Sequence, residues 1–263
     1  MENRKNQVRP YKPQEPSENI FIYGIRAVME AIDAGKEIEK VMVQKDLNGD
    51  LIRQLIGKLK SLRIPFSQLP LETLNRVTKK NHQGIIGFMS AIQYHSLDNV
   101  VESTFSSGRE PFILILDRVT DVRNFGAVAR TAECAGVDAL VIQSRGNALI
   151  GGDAMKTSAG ALSILPVCRE DNLKKAIQFL KQSGIRIVGC TEKADGLIYE
   201  TDLSGPVAII MGSEEDGISP EYLSLCDTTC KIPMEGKIAS LNVSVSAGVV
   251  IYESLKQRRN AER

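Results

Sequence analysis

Tryptophan is absent and histidine occurs only twice, at His82 and His95, in a chain of 263 residues. A Ser-His-Asp or Cys-His catalytic arrangement therefore has little to draw on. The five cysteines (Cys134, Cys168, Cys190, Cys226 and Cys230) contain no CxxC pair. Their odd number and apolar surroundings predict reduced, buried thiols in a reducing compartment, and no histidine lies close enough to Cys226 and Cys230 to suggest zinc. No local cluster of metal ligands stands out, which sets metal-assisted hydrolysis aside. No apolar run approaches the roughly 20 residues of a membrane helix. Residues 1–17 lack the apolar core of a secretory signal. With Arg4, Lys5, Arg9 and Lys12 set among prolines, they are expected to form a disordered basic arm. The expected compartment is the cytoplasm, with no membrane and no metal.

Nucleotide-binding loops are missing too. After "FILILD" the chain runs "DVRNFGAVAR", with no GxGxxG, and no GxxxxGK[ST] loop occurs anywhere. "GSEEDG" places three carboxylates between its glycines, which would repel an anion and suits a ligand with a positive centre or a hydroxyl donor.

Neither sign of charge dominates, since the net charge is +1. Its distribution is uneven. Residues 1–95 hold 15 Lys and Arg against 10 Asp and Glu, whereas residues 96–263 hold 18 against 22. That split fits a basic docking module joined to a near-neutral catalytic one, although chance surface composition would also produce it. At this length the chain makes one large domain or two ordinary ones.

Periodicity divides it into two. A strand before Gly24, a helix burying Val28, Ala31 and Ile32, and the strand "KVMVQ" open a small α/β unit over 18–93. A helix over "DLIRQLIGKLKSL" is expected to bury Leu51, Leu55, Ile56 and Leu59. The strand "IPFSQL", a short helix near Leu71 to Val77 and the strand in "HQGIIGFMS" complete the unit. Residues 94–110, rich in serine and without sustained period, are expected to be a linker. Over 111–263, apolar strands ("FILIL", "ALVIQ", "ILPVC", "RIVGC", "VAIIMG", "TTCKIP") alternate with helices. That pattern predicts a mostly parallel sheet covered on both faces. One of these helices is expected to be capped by Asp171 and to end at Gly184.

Three segments concentrate polar groups at the ends of buried strands: "NFGAVARTAECAG" (124–136), "IIMGSEEDG" (209–217) and "SLNVSVSAG" (240–248). α/β proteins build their sites at such strand ends. Asn124 stands near a helix N-cap, where capping alone would account for it. Arg130 lies about two turns further on among small alanines, suited to reach a phosphate or to form a surface salt bridge. The last helix has two apolar stripes. Leu241, Val245, Val249 and Tyr252 form one, and Val243, Ala247, Val250 and Ile251 the other, so it is either a core helix or one shared with a second subunit.

Together these segments resemble the three motifs of the SpoU (TrmH-like) class of SPOUT RNA 2′-O-ribose methyltransferases: "NFGAVARTA" the first, "IIMGSEEDGIS" the second, "KIPMEGKIASLNVSVSAGVVIYE" the third. "IYGIRAVMEAI" and "HQGIIG" resemble that family's substrate-binding domain, a fold shared with ribosomal and kink-turn RNA-binding proteins. The likeness covers about residues 19–257 and is greatest to the 23S rRNA guanosine 2′-O-methyltransferases, with tRNA guanosine methylation as the neighbouring group. It implies an α/β SPOUT domain with a deep trefoil knot, an exception to the rule of unknotted connections, preceded by a small RNA-binding domain. It further implies S-adenosylmethionine as cofactor, held by Gly212, Ile232 and Leu241 with Met211, Met234 and Ser240 beside them. Asn124, Arg130, Glu214 and Asn242 match the family's polar active-site positions. RNA is the implied partner, and a homodimer through the C-terminal helix the implied assembly. Val122 stands where the family often has proline, and Glu215 and Asp216 where it often has glycine or a basic residue. A non-catalytic RNA-binding dimer and a small-molecule methyltransferase are the rival readings. His82, Gln83, Lys79 and Lys80 are open to an RNA contact or to a plain turn before a strand.

Overall fold

The computed structural model describes residues 21–148, 150–238 and 240–261; the basic arm expected over 1–17 lies outside them. The front unit runs β1 (Phe21–Tyr23), α1 (Ile25–Asp33), β2 (Ile38–Gln44), α2 (Asp50–Ser61), β3 (Phe66–Leu69), α3 (Leu71–Val77) and β4 (Ile85–Met89). Its sheet has the order β1-β4-β2-β3, with β4 antiparallel to both neighbours and β3 parallel to β2. α1 buries Val28, Ala31 and Ile32, the i, i+3, i+4 set that faces a sheet. α2 buries Ile52, Leu55 and Leu59. Leu51, expected inside, is exposed and Ile56 only half-buried, because the stripe that meets the sheet starts one residue later. His82 is buried in the turn before β4. Its Nδ1 accepts from the Gly84 amide at 3.0 Å, which places the ring proton on Nε2, 3.0 Å from Asn75 Oδ1. It is a turn-setting residue, whereas Lys79 and Lys80 are exposed.

The rear unit runs β5 (Tyr94–His95), α4 (Leu97–Ser106), β6 (Phe112–Leu116), α5 (Val122–Cys134), β7 (Ala139–Gln143), α6 (Gly152–Thr157), β8 (Val167–Glu170), α7 (Leu173–Gln182), β9 (Arg186–Cys190), β10 (Val207–Met211), α8 (Pro220–Leu223), β11 (Thr228–Cys230) and α9 (Val243–Ala261). The expected linker is thus structured. β5 pairs in parallel with β8, and α4 buries Leu97, Val101 and Thr104 at i, i+4 and i+7, a stripe hidden among serines. All pairings in the seven-stranded sheet, ordered β11-β9-β10-β6-β7-β8-β5, are parallel. β6 shows why its strands are apolar throughout. Leu114 and Leu116 enter the core beneath α5, α6 and α9, while Ile113 and Ile115 enter the core beneath α4, α7 and α8.

The cap lies one residue from the expected position at one helix start and three residues from it at another. α7 is capped by Asn172, whose side chain accepts from the Lys175 amide, in place of Asp171. α5 begins at Val122 under the cap Asp121, two residues before Asn124. Val122 therefore occupies the first helical position, where proline is also at home, so its replacement leaves the helix start unchanged. Gly126 lets α5 approach α6: a Cβ there would lie 2.8 Å from the Ala154 carbonyl oxygen. The cysteines are all free, but Cys134 is exposed, against the expectation of burial. Burial pushes the Cys168 thiol up to about 12, which leaves it unreactive.

A polar cluster joins the two units. The Tyr94 hydroxyl donates to Glu39 Oε2, and the Arg169 guanidinium stacks on the Tyr94 ring at 4.0 Å and reaches the same carboxylate at 3.5 Å. Burial lifts the Glu39 carboxyl above its ordinary value, with Tyr94 and Arg169 opposing the shift. In the window between the ordinary and the raised value the folded state binds more protons than the unfolded one, so stability falls as pH rises through it. Glu39→Gln should flatten that slope in thermal melts taken upward from about pH 4; an unchanged slope would assign it to another group.

Candidate active site

The sheet's carboxyl ends carry the candidate site. β10 ends in Met211 and runs into Gly212, a position that only glycine fits: a Cβ there would sit 2.0 Å from the Gly217 carbonyl carbon. Residues 213–217 fold back on themselves. The Ser213 amide donates to the Gly217 carbonyl at 3.2 Å and the Gly217 amide to the Ser213 carbonyl at 3.1 Å, with Gly217 at φ 70°. This turn points Glu214 at the start of α9.

Glu214 Oε1 accepts from three donors: Asn242 Nδ2 at 2.6 Å, Asn124 Nδ2 at 3.0 Å and the Val243 amide at 3.3 Å. Asn242 Nδ2 also lies 3.1 Å from Asn124 Oδ1, which closes a triangle of three side chains from three distant segments. Asn242 caps α9 as well, its Oδ1 accepting from the Ser244 amide at 3.0 Å and from the Ser244 hydroxyl at 2.6 Å. A carboxylate at the N-terminus of a 19-residue helix interacts favourably with the helix dipole. Asn124 is free to join because Asp121 already caps α5, accepting the Asn124 amide at 2.8 Å.

Beside the triangle lies a cavity of about 420 Å³, lined by Met211, Gly212, Ile232, Met234, Ser240 and Leu241. The six residues expected around the cofactor thus share one wall system. Sequence reasoning missed Cys190, Thr191 and Glu192 on its other side, at the end of β9; only the strand end itself pointed there. Among the described residues the lining holds three carboxylates, Glu192, Glu214 and Glu215, and no cationic side chain. Apolar walls suit an adenine, and the uncompensated carboxylates suit a sulfonium and an ammonium group. The residues present fit S-adenosylmethionine, and the volume lies within the range of small-molecule pockets.

A second groove of about 290 Å³ adjoins the triangle and is lined by Asn124, Glu214 and Arg118 among others. Arg118 was also missed. Its backbone is left-handed, at φ 58°, a rare conformation for a long side chain that is met at functional sites. Its guanidinium reaches Asp216 Oδ2 at 2.8 Å, the Gly217 carbonyl at 3.2 Å and the buried Asp117 at 3.3 Å. Asp117 in turn accepts the Ser219 amide at 2.7 Å. One departure from the family pattern, Asp216, is therefore balanced by Arg118. A charged pair directly after the buried run "FILIL" was the available signal. Arg130 behaves differently: it is exposed, outside the triangle, and makes no hydrogen bond or ion pair among the described residues.

A family model described as the SpoU rRNA Methylase family matches residues 111–252, and one described as RNA 2′-O ribose methyltransferase substrate binding matches residues 21–95. The chain belongs to the SpoU rRNA methylase family. Among curated relatives of this SpoU methylase, the 23S rRNA (guanosine-2′-O-)-methyltransferase RlmB of Vibrio parahaemolyticus is 34% identical, over 93% of this chain and 99% of the relative. RlmB of Photobacterium profundum is 37% identical, over 92% and 99%. Of solved structures, the SpoU methyltransferase AviRb from Streptomyces viridochromogenes in complex with AdoMet shares the fold at a TM-score of 0.58 and 23% identity, covering 91% of this chain and 90% of that one. An RNA 2′-O ribose methyltransferase matches at 0.53 and 26% identity, over 90% and 88%.

Gly212→Ala should weaken S-adenosylmethionine binding by tenfold or more, about 1.4 kcal/mol, in calorimetry on protein whose circular dichroism is unchanged. Wild-type affinity would mean that the 212–217 turn relaxes at no cost.

Proposed function

We propose that this SpoU methylase transfers the methyl group of S-adenosylmethionine to the ribose 2′-oxygen of a guanosine in 23S rRNA. The observation that carries the reading is the Asn124–Glu214–Asn242 triangle standing between a carboxylate-lined cavity and an open groove. The curated RlmB relatives, similar over nearly their whole length, supply the target. When bound, the cofactor offers a methyl on a sulfonium that departs as a neutral thioether. No leaving anion has to be stabilised, so the protein's task is to align a weakly acidic hydroxyl and favour its alkoxide. Asn124 lines the groove and Asn242 the adjoining cavity, so their amide groups are set to hold the ribose where the two meet, and Glu214 fixes both. The part of Arg130 in this reading is to hold a substrate phosphate and stabilise the developing negative charge. Its exposure, and the absence of a partner among the described residues, support that role.

Threading of residues 232–242 past the 212–217 turn into a trefoil knot belongs to the same proposal, supported by the way those two segments wall one cavity. So does a homodimer. α9 buries Val243, Ala247, Val250 and Ile251, yet leaves Val245 and Tyr252 each 51% exposed. Half of the two-stripe pattern is thus core, and the other half is an apolar face for a second copy. A cytoplasmic location follows from the substrate; among the described residues no helix is long and apolar enough to cross a membrane, and none group as metal ligands. A tRNA target is the second reading, favoured by the uncharacterized tRNA/rRNA methyltransferase slr0955 of Synechocystis, 34% identical over 90% of this chain and 62% of that protein.

Mapping 2′-O-methyl groups in rRNA and tRNA from cells with and without the gene should reveal one guanosine of 23S rRNA that loses its methyl; loss in tRNA alone would select the second reading. Arg130→Ala should lower methylation at least a hundredfold, about 2.7 kcal/mol of transition-state stabilisation, while cofactor affinity stays within twofold; retained methylation would remove Arg130 from the mechanism. Tyr252→Glu should convert a dimer to a monomer in light scattering, whereas a monomeric wild type would dismiss the dimer.

A further inference from the structure

Arg118 ties the corner that follows β6 to the 213–217 turn, and every nitrogen of its guanidinium is engaged. Nη1 donates to Asp216 Oδ2 at 2.8 Å, Nη2 to the Gly217 carbonyl at 3.2 Å and Nε to Asp117 Oδ1 at 3.3 Å. Resting on the methyltransferase reading above, we propose that Arg118 is a positioning residue for the methyl transfer: it straps the 213–217 turn to the end of β6 and so holds Glu214 where it aligns Asn124 and Asn242.

Both ends of the strap are fixed. At the β6 end the Asp117 amide donates to the Met211 carbonyl at 2.8 Å, and the buried Asp117 carboxylate accepts the Ser219 amide at 2.7 Å through its second oxygen. The corner thus stands against the strand end from which the turn departs. Arg118 sits there at φ 58°, a conformation that a non-glycine residue keeps only where its surroundings impose it. At the turn end the Asp216 amide donates to the Ser213 hydroxyl at 3.1 Å. The Gly217 carbonyl that Arg118 reaches is also the one that accepts the Ser213 amide. Glu214 lies inside this loop, between Ser213 and Asp216 in sequence, and its Oε1 meets Asn242 Nδ2 at 2.6 Å and Asn124 Nδ2 at 3.0 Å. Hydrogen bonds therefore run from Asp117 through Arg118 to the turn, and from the turn to the triangle.

Among the described residues Arg118 is the one cationic side chain lining the groove, which would also suit it to a substrate phosphate. Its commitments argue against that part. A phosphate would have to displace Asp216, and Asp121, Glu214, Glu215 and Asp216 all line the same groove. Arg130, exposed and without such bonds among the described residues, has its guanidinium available. The Asp216 side chain is 65% exposed, so its pair with Arg118 contributes little to stability. What the pair fixes is the place of the turn. Alignment of reacting groups is sensitive to shifts of about 1 Å, which can change a rate on the order of a hundredfold.

The test measures kcat and KM for RNA at saturating S-adenosylmethionine, with the full-length protein and an RNA carrying the mapped target. Asp216→Ala opens the exposed end of the strap and leaves Asp117 its cation. Arg118→Gly removes the whole fork, with glycine taking the same φ without strain. Asp216→Ala should lower kcat about threefold and Arg118→Gly about tenfold, each with KM for RNA within about twofold of wild type. The double variant should be no slower than Arg118→Gly, the signature of two changes that break one connection. In hydrogen exchange the amides of Ser213, Asp216 and Gly217 should exchange about tenfold faster in both variants, a readout that needs no activity. A raised KM with unchanged kcat in Arg118→Gly, or tighter RNA binding by Asp216→Ala, would make Arg118 a phosphate contact and overturn the proposal. Wild-type kcat in either variant, losses that multiply in the double variant, or unchanged exchange would overturn it too. In all these cases wild type still methylates its RNA, so the methyltransferase reading survives. No methylation of any RNA by wild type would instead sink that reading, and the proposal with it.

Discussion

A single carboxylate oxygen organises the catalytic half of this protein. Glu214 Oε1 gathers the side chains of Asn124 and Asn242 and the first amide of α9. Its three partners come from segments more than 100 residues apart at the extremes, and each has a further duty. Asn124 belongs to the first turn of α5, Asn242 caps α9, and Glu214 itself rides on a turn that only Gly212 permits. Charge-assisted hydrogen bonds of this kind are roughly twice as strong as neutral ones. Here the strength goes into fixing three side chains from distant segments relative to one another.

The sheet supplies the rigidity that such alignment needs. Parallel strands buried on both faces leave no freedom of register, because a one-residue slip would exchange the residues facing the two cores. Close packing extends this to the helices: Gly126 brings α5 against α6, and the α9 stripe of Val243, Ala247, Val250 and Ile251 locks the cap residue Asn242 over the strand ends. Polar function then concentrates in loops at one edge of an apolar slab. The separation also places carboxylates together at the ends of β9 and β10, a repulsion that a cationic ligand would relieve.

Much of the architecture was legible in the residues. Strand runs and helix stripes appeared where expected, and the three motif segments stood where the sheet ends. The failures were local and have physical causes. α4 was missed because serines interrupt its stripe, although Leu97, Val101 and Thr104 keep helical spacing. The α2 face was set one residue early, since its five apolar residues allowed two stripes and only the sheet selects between them. His82 lacked any local sign that its two nitrogens close a turn. Arg118 stayed hidden because its partners Asp216 and Gly217 are about a hundred residues away.

From sequence alone, the chain determined its two α/β units, the parallel sheet, the family resemblance and a short set of candidate polar residues. Periodicity and local chemistry carry that information, because burial patterns repeat over a few residues. Only the tertiary structure decided that Asn124, Glu214 and Asn242 bond to one another while Arg130 stands apart. It alone showed that, among the described residues, the carboxylate-lined cavity has no cation of its own. Contacts of that range depend on where the chain returns in space, and no short window of residues records it.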